Sequence, residues 1–197
     1  MGYSRLQAVN EIARACGEMR FSALDSSGSW PSKSYGTSFA GEAEFILDMT
    51  ARAVLSRGWE ANVVRSKKYT LSGSGALSFS SNVLNAIAAG PTQRRLFVFR
   101  NGAAYDLEAD TATFAAGDYF FDIITDHDFD TLPVDLQVLI IREAKSEAQG
   151  KLKGDPNRQA LIDGEVAKAE VSATRSTALN SRPINAQALV PQQPRSA

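Results

Sequence analysis

The sequence predicts an α+β protein: a helical bundle of about four helices with an inserted antiparallel β-sheet and an extended C-terminal arm. Apolar residues recur at helical spacing toward both ends of the chain, whereas residues 60–126 hold short β-branched and aromatic runs separated by Gly, Ser and Asn. Beyond residue 179 the periodicity stops, and three of the seven prolines fall within residues 180–197. A chain of 197 residues is long enough to bury one continuous core, either as a single domain or as a domain with an insertion.

The first helix is expected over residues 4–16, where Leu6, Val9, Ile12, Ala13 and Cys16 form one stripe and Gly17 supplies the stop. Residues 22–38, "SALDSSGSWPSKSYGTS", carry seven serines and read as a long surface loop anchored by Trp30 and Tyr35. A second helix follows over about residues 38–57, burying Phe39, Ala43, Leu47, Thr50, Ala51 and Val54, and Gly58 ends it. The stretches "ANVVRSKKYTL", "RRLFVFR", "AAYDL" and "DYFFDII" predict one antiparallel sheet of four to six strands, with Asn101-Gly102 as a tight hairpin turn. Helices return over about 131–152 and about 156–179. For the first of these, Asp130 or Thr131 is expected to cap, Pro133 to sit in the first turn and Asp135 to favour the positive end. For the second, Asp155 caps, Pro156 opens the helix, and Ile162, Val166, Ala169 and Ala173 make the buried stripe. The expected domains are therefore a discontinuous bundle (1–58 and 127–179), a β insertion (59–126) and an arm (180–197).

Charge is nearly balanced, 21 Lys+Arg against 22 Asp+Glu, so no net field marks nucleic acid as a direct ligand. The single cysteine, Cys16, cannot staple the fold and reads as a small buried residue, consistent with folding in a reducing cytoplasm. Neither a signal peptide nor a membrane span is expected.

"TDHDFDTLP", residues 125–133, sets the only histidine, His127, among Asp126, Asp128 and Asp130. A zinc or iron site needs three or four convergent ligands, and a calcium loop needs a glycine turn and closing glutamate where Leu132-Pro133 stands. The structural reading, a junction from sheet to bundle, is preferred. "GSGALS" at 73–78 lacks the lysine and following helix of a phosphate loop and reads as a flexible turn. Arg65, Lys67 and Lys68 on the "VRSKK" strand suit phosphate, an acidic partner or a solvated edge. No catalytic residue, metal or cofactor is expected.

The order of "AVNEIARACGEM", "LSRGW", "DHDFDTLP" before a helix, and "GKLKGDP" resembles the tail tubular protein A family, the head-to-tail adaptors of short-tailed podoviruses. Ala8, Val9, Asn10, Arg57, Gly58, Trp59, Asp128, Phe129, Asp130 and Pro133 occupy the matching places, with Trp59, Asp130 and Pro133 as structural positions. The third helix departs from the family, carrying "LQVLIIREA" where aromatics are expected, and the match loosens after Gly154. The resemblance implies a dodecameric ring under the portal protein, contacting the tail nozzle protein (tail tubular protein B), with tail fibres left open as a further partner. Genome DNA then passes through the lumen without sequence-specific binding, and the protein, made in the host cytoplasm, resides at the head-tail junction of the virion. In that reading Arg182, Pro183, Ile184, Leu189 and Val190 of the arm bind the portal, and Arg65, Lys67, Lys68, Asn101 and Gly102 face the nozzle. The rivals are a monomeric soluble binding module and a hydrolase using the residue 126–130 carboxylates.

Overall fold

The computed structural model describes residues 2–28, 32–94 and 96–178. Trp30 and the arm, with its proposed portal-binding residues, lie outside the described residues.

Helix α1 spans Arg5–Ala15 and starts where a local reciprocal bond makes starting cheap. Ser4 Oγ accepts from the Gln7 backbone N–H at 3.3 Å while Gln7 Oε1 accepts from the Ser4 N–H at 2.8 Å, which satisfies two of the donors a helix N-terminus leaves free. Ala8, Val9, Ile12 and Ala13 are fully buried along one face. Strands β1 (Ser26–Ser27) and β2 (Ser34–Tyr35) then pair antiparallel, so the serine-rich segment holds a small hairpin. Helix α2, Phe39–Leu55, buries Ala40, Ala43, Ile46, Leu47, Thr50 and Val54. Its stop is Gly58, at φ +77°, whose N–H reaches back to the Leu55 carbonyl at 3.0 Å.

Between these helices and the next pair, seven strands among the described residues form three antiparallel sheets, where the sequence predicted one. Strand β9 (Gly117–Thr125) is central, flanked by β3 (Val63–Leu71) and β5 (Val83–Ala88). The pairs β4 (Gly75–Ala76) with β8 (Thr113–Phe114), and β6 (Phe97–Arg100) with β7 (Ala103–Asp106), stand as separate two-stranded sheets. Register shifts at Val64/Lys67 and Val83/Asn85 interrupt the main ladder, and only an isolated bridge, Ser78↔Ala103, reaches β7 from the segment before β5. The Asn101-Gly102 turn joins β6 to β7 as predicted, with φ of 49° and 75°, the two positive values that a two-residue hairpin turn of this twist demands. Phe121, 1 % exposed, is the centre of this region: Tyr69, Phe79 and Phe97 pack on it with ring centroids 5.3–6.0 Å away. Its truncation to alanine is worth about 3–5 kcal/mol.

Helix α3, Val134–Ala148, differs at its start from the sequence reading. Residues Phe129–Thr131 form a 3-10 turn of their own, and the N-cap of α3 is Pro133, which offers no side-chain bond. Asp130 is therefore inside the preceding turn and caps nothing, and Thr131 Oγ1 donates to the Asp128 carbonyl at 2.7 Å instead. Pro133 stands one position before the first turn because Gln137 N–H needs its carbonyl, at 3.0 Å. The helix ends in a π turn over Gln149–Lys153, closed by Gly154. Helix α4, Pro156–Ala178, is capped by Asp155 Oδ1, which accepts from the N–H groups of Asn157 and Arg158 at 3.0 and 3.3 Å. Ile162, Ala169 and Ala173 are buried and Val166 is half-buried, as the stripe predicted.

Two compact units emerge, one from the residues up to Val54 together with those from Asp128 through α4, the other from Leu55–His127. The first is all four helices and the β1–β2 hairpin; the second holds the three sheets. Among the described residues no helix is long and apolar enough to cross a membrane.

Candidate functional site

Along residues 125–133 the bonds that fix the chain are made by hydroxyl, histidine and backbone groups. His127 Nε2 lies 3.0 Å from Thr125 Oγ1, and that hydroxyl also donates to the Asn62 carbonyl at 3.1 Å. The Asp126 N–H is spent on the Asn82 carbonyl at 2.7 Å, and Phe129, 2 % exposed, belongs to the helical unit. Among the described residues no three His, Cys, Asp or Glu side chains converge to hold a metal ion. Burial raises the Cys16 thiol above its ordinary value, which suppresses the thiolate that nucleophilic chemistry would need.

The cations of β3 do not form one patch. A bulge at Ser66, φ 48°, breaks the alternation, and Ser66 N–H is taken by Asp122 Oδ1 at 2.7 Å. Arg65 pairs with Glu60 at 3.0 Å, and Lys68 with Asp118 at 2.8 Å. Lys67 Nζ stands 5.5 Å from the centre of the Tyr69 ring. The bond from Lys68, with a second from Thr70, holds the Asp118 carboxyl below its ordinary value. Asn101 and Gly102 sit on a different sheet, at the hairpin tip, where the Gly102 carbonyl accepts from Phe79 N–H at 2.8 Å. Trp59, 6 % exposed, is fixed by Asn62, whose Oδ1 accepts the Trp59 N–H at 2.8 Å.

A cluster of ion pairs that the sequence did not mark surrounds Glu44. Glu44 on α2 is fully buried, and Arg5 of α1 donates to its Oε1 at 2.7 Å. Lys33 bonds to Glu44 as well and reaches Asp48 Oδ2 at 3.0 Å, while Arg5 also meets Asp48 Oδ1. The Tyr35 hydroxyl donates to Asp48 Oδ2 at 2.6 Å. Burial pushes the Glu44 carboxyl upward, but the bonds from Lys33 and Arg5 outweigh it and leave the group below its ordinary value. For Lys33 the balance is reversed: burial dominates and the ammonium is held below its ordinary value despite Glu44. The signal was present in the pattern, since Glu44 falls four residues after Ala40 and three before Leu47, both buried on the same stripe.

A second such group is Gln137, 1 % exposed within the apolar face of α3. Its Oε1 accepts from Tyr3 N–H at 2.8 Å, and its Nε2 donates to the carbonyls of Phe129 and Tyr3 at 2.9 and 3.2 Å. One amide thus binds the N-terminal segment and the 129–131 turn to the bundle. At Glu44 and Gln137, buried polar side chains hold together segments that are distant in sequence.

No curated protein sequence matches the chain significantly. The family model described as tail tubular protein matches residues 6–182, nearly the whole length, and the chain belongs to the tail tubular protein family.

Proposed function

We propose that this chain forms the ring that joins the portal vertex of a short-tailed phage to its tail nozzle and encloses the channel for DNA ejection. Membership of the family makes it a structural component of a phage tail. What supports the finer reading is that the motifs "AVNEI", "RGW" and "DFDTLP" stand in an order resembling that of the tail tubular protein A adaptors, within a family match over residues 6–182. Near-neutral charge supports it, because each phosphate neutralised by a basic lumen would add binding that has to be broken before DNA moves. The bundle domain (1–58 and 127–179), the β insertion (59–126) and the arm (180–197) then divide the work: the arm engages the portal and the insertion faces the nozzle. A phage carrying a stop codon in place of this chain tests the reading. It should yield DNA-filled heads that lack the nozzle; heads with nozzles attached would refute it.

The arm has its own test. Deleting 180–197 should leave the melt of the isolated chain within about 1–2 °C, because no periodic core segment is removed, while portal attachment falls sharply. Unchanged attachment would move the portal contact to the bundle.

A further inference from the structure

Helix α4 buries one face and leaves the opposite one uncovered. Ile162, Ala169 and Ala173 are buried, whereas Leu161 is 73 % exposed and Val171 51 %. Ala160, Gly164 and Ala167 are exposed with them, and a Cβ built on Gly164 would meet nothing within 4 Å. Charge flanks this uncovered face at intervals of seven residues. Asp163 and Glu170 make one edge; Lys168 and Arg175, with Leu161 a heptad earlier, make the other. All four charged residues are exposed. Asp163 Oδ1 accepts from Ser146 Oγ and Gln159 Nε2 at 2.6 and 2.8 Å, which holds its carboxylate in place without neutralising it. At about 100° per residue the acidic and basic edges lie roughly 140° apart around the helix.

Each acidic residue stands five positions before a basic one, 163 before 168 and 170 before 175, the spacing by which parallel neighbouring helices pair charges across their flanks. We propose that α4 is the lateral contact between copies of this chain: Asp163 and Glu170 of one copy meet Lys168 and Arg175 of the next, with the two helices side by side and parallel. The acidic edge also carries Ala160 and Ala167, whose small side chains leave room for Leu161 of the neighbour. Because each copy offers two unlike edges, the contact is heterologous and propagates from copy to copy instead of closing a pair. A two-fold zipper through the face between the edges is disfavoured, since its seam would hold Gly164 and Ala167 where such a seam wants Leu, Ile or Val. In a twelve-fold ring the two neighbours of a copy lie about 150° apart, close to the separation of the edges. The uncharged face then turns toward the ring axis, and the rest of the helical unit lies outside it. Exposed ion pairs are individually weak, in keeping with assembly that needs the portal as a template. Such a contact presupposes the ring proposed above and supplies the surface that closes it.

Charge reversal tests it on the full chain with purified portal. Lys168→Glu/Arg175→Glu makes both edges acidic, and Asp163→Lys/Glu170→Lys makes both basic. Each variant alone should keep the parent's circular-dichroism spectrum but load onto portal at least about tenfold more weakly, because like charges then face each other. An equimolar mixture should restore loading, since the two variants can alternate around the ring. A short bis-maleimide gives a readout that needs no portal. With Cys16→Ala removing the single natural thiol, Asp163→Cys/Lys168→Cys should cross-link in concentrated solution into a ladder that extends past dimers. Should Asp163→Lys/Glu170→Lys fail to fold, the loss with Lys168→Glu/Arg175→Glu and the ladder decide. Reversal variants that load as the parent does, or a mixture no better than its components, overturn the α4 contact and spare the adaptor reading. A parent chain that never associates with portal sinks the adaptor reading instead; a ladder past dimers then still supports the α4 contact, and its absence or a stop at dimers overturns it.

Discussion

Replacing Asn62 with alanine removes three hydrogen bonds from a side chain that is 1 % exposed. Oδ1 accepts from Trp59 N–H at 2.8 Å; Nδ2 donates to the carbonyls of Leu55 and Thr125, each at 2.9 Å. These bonds fasten the end of α2 and the turn after it to the end of β9, all within the sheet-bearing unit. The Leu55 carbonyl keeps a partner in the mutant, because Gly58 N–H reaches it at 3.0 Å. The Trp59 N–H and the Thr125 carbonyl lose the bond Asn62 supplied. At about 0.5–1.5 kcal/mol net for each of the two bonds lost without a replacement, the expected loss is about 1–3 kcal/mol. Urea unfolding followed by tryptophan fluorescence reads it, since Trp59 is at the site. Asn62→Asp refines the test. The carboxylate can still accept from Trp59 but faces two carbonyl oxygens, so its folded pKa is raised. A raised acid contributes stability at low pH that is lost as pH rises through the folded value, so this variant should approach the parent near about pH 4 and fall away toward pH 7. A loss below about 1 kcal/mol for Asn62→Ala, or no pH trend for Asn62→Asp, would refute the reasoning.

Gly58→Ala should cost about 1–3 kcal/mol in thermal unfolding, because the position has φ +77° and a Cβ there would stand 2.9 Å from Ile124 Cδ1. Acid should destabilise the helical unit: the Lys145 bond holds Glu11 below its ordinary 4.5, and Glu44 is below 4.5 as the sum of burial and stronger opposing bonds. Depressed carboxyls contribute stability above the unfolded value that is lost as pH falls through the folded one, so circular-dichroism melts should drop below about pH 4.5 and be flat above it. Asp130→Ala, which removes no cap, and His127→Ala should each change stability by no more than about 0.5 kcal/mol, and phage infectivity with His127→Ala should stay near normal.

Where local chemistry decides the structure, the sequence was readable. Asp155 before Pro156 marked a helix start because the cap lies within three residues of the bonds it makes, and Asn101-Gly102 marked a hairpin because few residues accept two positive φ values. Strand β5, "VLNAIA", was missed: two alanines and an asparagine give weak strand preference, and pairing with the central β9 supplies what propensity does not. The division into three sheets was equally hidden, since bulges at Ser66 and near Val83 depend on which residues face across the ladder. The same limit explains the cap at α3. Asp130 has the right chemistry, yet the 3-10 turn over Phe129–Thr131 uses that stretch first and delivers Pro133 to the N-cap. Glu44, Asn62 and Gln137 are polar residues at buried positions, and their partners lie far away in sequence, 39, 63 and 134 residues in the longest cases. Pattern shows that such a residue faces inward; only the fold shows what it meets.

In the proposed role, the chain closes into a ring on the portal. Sedimentation or light scattering of the purified chain should show mainly monomers or small oligomers, since its sequence has no long apolar stripe of the kind an obligate oligomer buries. Mixed with purified portal, the same sample imaged by electron microscopy should show a closed twelve-fold ring of this chain seated on the portal. A stable ring at low concentration without portal would contradict the templated assembly, and a chain that stays unassociated in the presence of portal would contradict the adaptor itself.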